Sequence, residues 1–117
     1  EARAVTVAIL SAPRKEAWRE RDRTLESSAA AARTMLGALG KARIGAERRV
    51  TVGDRPSVVF DVDFSHGGAP YRRRQWVVEG ASRIGYVGYT APVSKWSLGE
   101  GVAEAMVATF ALSGGDA

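Results

Sequence analysis

The residue types that could do chemistry gather between Asp61 and Trp76. They are the paired carboxylates Asp61 and Asp63, the turn Ser65-His66, and the run Arg72-Arg73-Arg74 flanked by Tyr71 and Trp76. His66 is the only histidine and has Asp63 three residues upstream. A serine–histidine–aspartate relay needs the three groups ordered in space, and three residue types crowded into one turn do not supply that. A metal would need further ligands at recognisable spacing, and none is present. Asp61 and Asp63, two apart on a strand, share a face. Carboxylate pairs do acid–base work only in a cleft that shifts their pKa values. Here the following strand returns three arginines opposite them, so cross-strand ion pairs on a solvated sheet face are expected, with partners set by register.

The arginines carry the binding hypothesis. Alternation sends Arg72 and Arg74 to one face and Arg73 to the other, with Arg48 and Arg49 on a strand that could lie nearby. Basic residues interleaved with aromatics can hold single-stranded nucleic acid. No RNP-type aromatic motif or zinc-finger spacing accompanies them, so nucleic-acid binding ranks below protein binding. Gly85 and Gly88 fall inside a strand, where glycine signals a bulge or close packing by a helix or aromatic ring. Gly99 and Gly101 open a helix without a phosphate-loop pattern. No catalytic, cofactor or metal site is predicted, and an enzyme is not expected.

At 117 residues the chain suits one domain, residues 1–117, and its abrupt start suggests a piece of a longer chain. It has no cysteine, which excludes disulfides, thiol catalysis and thiolate metal sites. The net charge of +4 comes from 14 arginines and three lysines against 13 acids. That balance fits an arginine-favouring composition as well as an anionic partner. No apolar run reaches the roughly 20 residues of a membrane span.

Positioning these residues requires strands and two helices. Residues 4–10 alternate as a strand that Pro13 interrupts, and residues 14–23 read as a charged loop or an extra helical turn. A helix is expected over 24–39, capped by Thr24, apolar along Leu25, Ala29, Ala32, Leu36 and Leu39, and stopped by Gly40. Residues 48–52, 57–64, 71–78 and 83–90 follow as strands joined by three hairpins, an antiparallel meander. Ser97 and Glu100 fit a capping box opening a final helix through Leu112, where Val102, Met106 and Phe110 repeat every four residues with Ala103 and Val107 alongside. Phe60, Trp76, Met106 and Phe110 are the expected large core residues. The fold class is therefore α+β, an antiparallel meander packed with two main helices.

Local phrases along this order resemble the PsbP/DcrB-like superfamily, including bacterial LpqN-type lipoproteins. They are Val52-Gly53-Asp54-Arg55-Pro56, Arg74-Gln75-Trp76-Val77-Val78, Tyr89-Thr90-Ala91-Pro92 and Thr109-Phe110. The chain departs from that pattern in lacking the apolar P-x-x-W entry strand. The resemblance implies an αβ(α) sandwich and a non-enzymatic accessory role, commonly outside the bacterial cytoplasm, with no shared active site. The expectation is a protein-binding or assembly domain of an envelope or secreted protein. A cytoplasmic homodimeric secretion chaperone is the alternative, and nucleic-acid binding through the arginine face a second one. Self-association is expected at the uncharged edge strand 4–10 rather than at the strand around Arg48, whose charges discourage pairing.

Overall fold

The longest strand sets the layers. In β6 (Arg55–His66), Val58, Phe60 and Val62 enter one apolar cluster while Val59 enters another on the opposite side, as strand alternation dictates. The computed structural model describes residues 6–13, 15–16, 21–22, 24–80 and 83–109. β6 pairs with β7 (Ala69–Glu79), β7 with β8 (Arg83–Pro92), and β8 with β1 (Thr6–Pro13). On its other side β6 takes β4 (Arg43–Ile44) and β5 (Arg48–Val52) at successive positions. All these pairings are antiparallel, and these six strands form one sheet with β1 at one edge and β4 and β5 at the other.

Two turns fix the register. Gly67 and Gly68 join β6 to β7 with φ of 59° and 80°, the left-handed pair that a two-residue hairpin favours and that glycine adopts without strain. His66 then pairs with Ala69, which carries Asp63 to Arg72 and Asp61 to Arg74. Gly53, at φ 55°, opens the turn between β5 and β6.

Helix α1 (Leu25–Leu36) lies on the Phe60 face. The Thr24 hydroxyl accepts from the Ser27 amide at 2.9 Å and the Thr24 amide donates to the Ser27 hydroxyl at 3.0 Å, a reciprocal capping box. Leu25 and Ala29 bury against Val58, Phe60, Val62, Val77 and Ile84. The helix stops at Leu36 with Gly37 as its cap, three residues before the expected stop. Gly40 serves another end: its carbonyl accepts from Ser65, and a Cβ there would meet the Ser65 carbonyl at 3.0 Å.

Helix α2 (Trp96–Thr109) follows a 3-10 turn, Val93–Lys95, and covers the opposite face. Its inward residues are Gly99, Ala103 and Val107, packed with Val59, Trp76, Val78, Val87, Tyr89 and Ala91. This corrects the expected stripe: Val102 is exposed and Met106 only half-buried. Small side chains let the helix backbone approach the sheet closely enough for the Tyr89 hydroxyl to accept from the Gly99 amide at 3.1 Å and donate to the Trp96 carbonyl. Tyr89 thereby ties the first turn of the helix to the sheet. The helix begins one residue before Ser97, which lies inside it rather than capping it.

The architecture is α+β, a meander sheet with one helix on each face, as expected. Within the first stretch, Pro13 is the last residue of β1, paired with Arg83, rather than a break before it. Within the stretch 14–23, Lys15–Glu16 (β2) and Arg21–Asp22 (β3) pair as a short antiparallel ribbon, and the rest of it lies outside the described residues. Phe110, expected in the core, lies outside the described residues. Phe60 and Trp76 are buried as expected.

The rotation of α2 is directly testable. Ala103→Leu, at a fully buried position, should cost about 1–3 kcal/mol. Val102→Leu should stay within about 0.5 kcal/mol of the parent. Urea denaturation checks the ranking, and a reversed order would mean that the helix docks through Val102.

Candidate functional site

The aspartate–arginine pairs form a network that joins sheet to helix. Arg74 grips Asp61 with two hydrogen bonds, Nε to Oδ1 at 2.8 Å and Nη2 to Oδ2 at 3.1 Å. Its Nη1 donates to Glu100 Oε2 of α2 at 2.9 Å and lies 3.7 Å from Glu104 Oε2. Its Cζ sits 5.2 Å from the Trp96 ring centroid, within cation–π range. The Asp61 hydrogen bonds outweigh the cost of burial and, with the Asp61 charge and Glu100, raise the Arg74 pKa above its ordinary value. Arg72 Nε donates to Asp63 Oδ1 at 2.8 Å, and its Cζ lies 5.5 Å from the same ring.

The expected pairs therefore exist, on a face that is sheltered only in part: the Arg72 and Asp63 side chains stay 34% and 46% exposed. Helix α2 packs on it, leaving the Arg74 side chain 16% and the Asp61 side chain 26% exposed. Glu100, expected to cap its own helix, instead binds the sheet. The carboxylates of Asp61 and Asp63 are paired with guanidinium groups of the neighbouring strand. His66 projects to the α1 side of the sheet and Asp63 to the α2 side, so they cannot form a relay. His66 stands edge-on to Tyr71, with ring centroids 5.6 Å apart.

Arg73 occupies the opposite face under different conditions. Its Nε donates to Gln75 Oε1 at 3.0 Å and its Nη1 to Thr90 Oγ1 at 3.2 Å. Gln75 is itself fixed by hydrogen bonds to the Trp76 and Val87 carbonyls. No carboxylate among the described residues pairs with Arg73. Burial without that compensation pushes its pKa down. The guanidinium lies over Gly88, where a Cβ would come within 2.2 Å of Nη2. An arginine, rather than a helix or ring, is thus what needs the glycine.

The five arginines weighed as a possible binding surface are consequently divided. Arg72 and Arg74 are engaged under α2, and Arg73 points the other way. Arg49 pairs with Glu26 of α1. Arg48 has no ion-pair partner among the described residues and rims a groove of about 400 Å³ between β5 and α2. Val50, Val52, Val59, Trp76 and Val107 form much of its apolar lining. A second hollow, about 490 Å³, lies beside β5 and is lined by Arg49, Val50, Thr51, Asp54 and Pro56. Neither was anticipated; the alternation Arg48-Val50-Val52 was its only signal. Among the described residues, no group of three or more potential ligands is arranged to hold a metal ion. No helix among them is long and apolar enough to cross a membrane.

No family model matches the chain, and no curated protein does either. Among solved structures it is similar to the crystal structure of PA94 from Pseudomonas aeruginosa, a protein described as of unknown function and as a suggested regulator. The TM-score is 0.64 at 11% identity, covering 93% of this chain and 83% of that one. The likeness is one of fold.

The two ion pairs should differ in strength. A double-mutant cycle on Arg74→Met and Asp61→Asn should give a coupling of about 1.5–3 kcal/mol, as for a sheltered charged hydrogen bond. The more exposed Arg72–Asp63 pair should give about 0.2–1 kcal/mol. Chemical denaturation of the four single and two double variants measures both, and equal couplings would contradict the sheltering by α2.

Proposed function

We propose that this chain is a non-catalytic protein-binding domain that serves assembly, in the manner implied by its resemblance to the PsbP/DcrB-like superfamily. The observation that carries the reading is the outer side of α2. Leu98 is 72% and Val102 59% exposed, one helical turn apart and facing away from the sheet. Large apolar residues displayed on a helix whose inward side is already satisfied are costly to leave in water and mark a contact surface.

The treatment of the polar groups supports the same reading. Asp61 and Asp63 are held by arginines, and Arg72 and Arg74 are neutralised by those aspartates and by Glu100. Such guanidinium groups have little charge left for a phosphate backbone, which ranks nucleic-acid binding lower. By the same resemblance we place the domain in a bacterial envelope or secreted protein, acting outside the cytoplasm.

Site-specific photo-crosslinking in the source cell tests this. A photoreactive side chain at position 98 or 102 should yield a discrete protein adduct in the envelope or secreted fraction. The same group at exposed Thr34 of α1 should not. Val102→Glu should remove the adduct formed from position 98 while leaving the thermal midpoint within a few degrees, as for a surface change. An adduct of doubled mass would identify the partner as a second copy. Equal labelling from all three positions, or none, would refute the contact surface.

A further inference from the structure

We propose that β5 accepts an extended peptide segment of a partner protein as an added antiparallel strand. Its side chains would enter the groove between β5 and α2, and its acidic carboxyl-terminal side would meet Arg48. This extends the protein-binding reading to a second surface, separate from the outer side of α2.

The backbone of β5 is the first observation. The two-residue turn Gly53-Asp54 makes Val52 and Arg55 a hydrogen-bonded pair. Alternation along the ladder gives the same bonding to Val50–Ser57 and Arg48–Val59. Arg49 and Thr51 therefore direct their N–H and C=O groups outward, where no other described strand pairs with them. Four hydrogen-bonding groups in a row are a template for one more strand.

The hollows on either side of that edge are the second observation. Strand residues alternate between faces, so an added strand would drop alternate side chains into the groove beside Val50 and Val52 and into the hollow beside Arg49 and Thr51. The groove, about 400 Å³, is within the range that binds small ligands. It exceeds what a valine from a second copy of β5 would fill, which favours a peptide with larger apolar side chains.

Charge fixes the direction. Arg48 stands at one end of β5 without an ion-pair partner among the described residues, and Asp54 lines the hollow at the turn end. An antiparallel strand runs its amino end past Asp54 and its carboxyl end past Arg48. A carboxylate there would pair with Arg48, whereas a second β5 in the same register would offer it Val52.

The test uses capped peptides that alternate leucine with threonine, carrying aspartates at the carboxyl end, at the amino end, or replaced by lysines. Binding to the whole chain is followed by amide shifts and hydrogen exchange. The carboxyl-end aspartate peptide should bind most tightly and slow exchange at the Arg49 and Thr51 amides. Thr51→Pro removes an outward donor without touching the β5–β6 ladder. It should weaken binding at least about tenfold while the melting curve stays close to the parent's. Arg48→Glu should invert the preference between the aspartate and lysine peptides. Binding unchanged by both substitutions, no protection at residues 49 and 51, or a dimer that Thr51→Pro dissociates would each overturn the proposal. None of these results would alter crosslinking from positions 98 and 102, so this surface and that of α2 are judged separately.

Discussion

One guanidinium holds the layers in place. Arg74 stands in the centre of the meander and reaches a carboxylate on the neighbouring strand, two on the helix above and an aromatic ring at that helix's start. Burying a charge is expensive unless its hydrogen-bonding capacity is met, so these partners act together. Their geometry also sets how α2 turns about its axis. Glu100 and Glu104 must face Arg74 while Gly99 meets the Tyr89 hydroxyl, and both conditions hold only when Ala103 and Val107 point inward.

That coupling explains what the sequence could and could not tell. The alternation of β6 and β7 made their faces readable, and the pairing of Asp61 and Asp63 with arginines followed from it. The partners became definite only through Gly67-Gly68, because a one-residue change of turn would have exchanged every face. Helix α2 was readable as a helix but not in its orientation. Gly99-Ala103-Val107 and Leu98-Val102-Met106 repeat with the same spacing on adjacent stripes, and size favoured the wrong one. Close approach to Tyr89 favoured the smaller residues, and that contact joins parts of the chain ten residues apart. The groove was hidden for a related reason, since β5, β6 and α2 build it together.

With a helix on each face, the sheet has little open surface of its own to offer a partner. Among the described residues, the outward sides of the two helices and the edges, where β1 and β5 end the ladder, remain available. The arginine cluster that first suggested a binding face belongs mostly to the interior logic of the fold, and only Arg48 stands apart from it. Charge on an edge strand is usually a deterrent to unwanted pairing. With Asp54 at the other end of β5, it can equally select one orientation of an incoming strand.

The Arg73–Gly88 contact carries a consequence for how the chain can change over time. A side chain at position 88 would occupy the space where the guanidinium now lies. A residue larger than glycine at 88 would push that guanidinium aside, and a displaced or shortened 73 leaves Gln75 and Thr90 without the donor they now share. Among descendants of this sequence, a change at 88 should therefore be accompanied by changes at 73, 75 or 90.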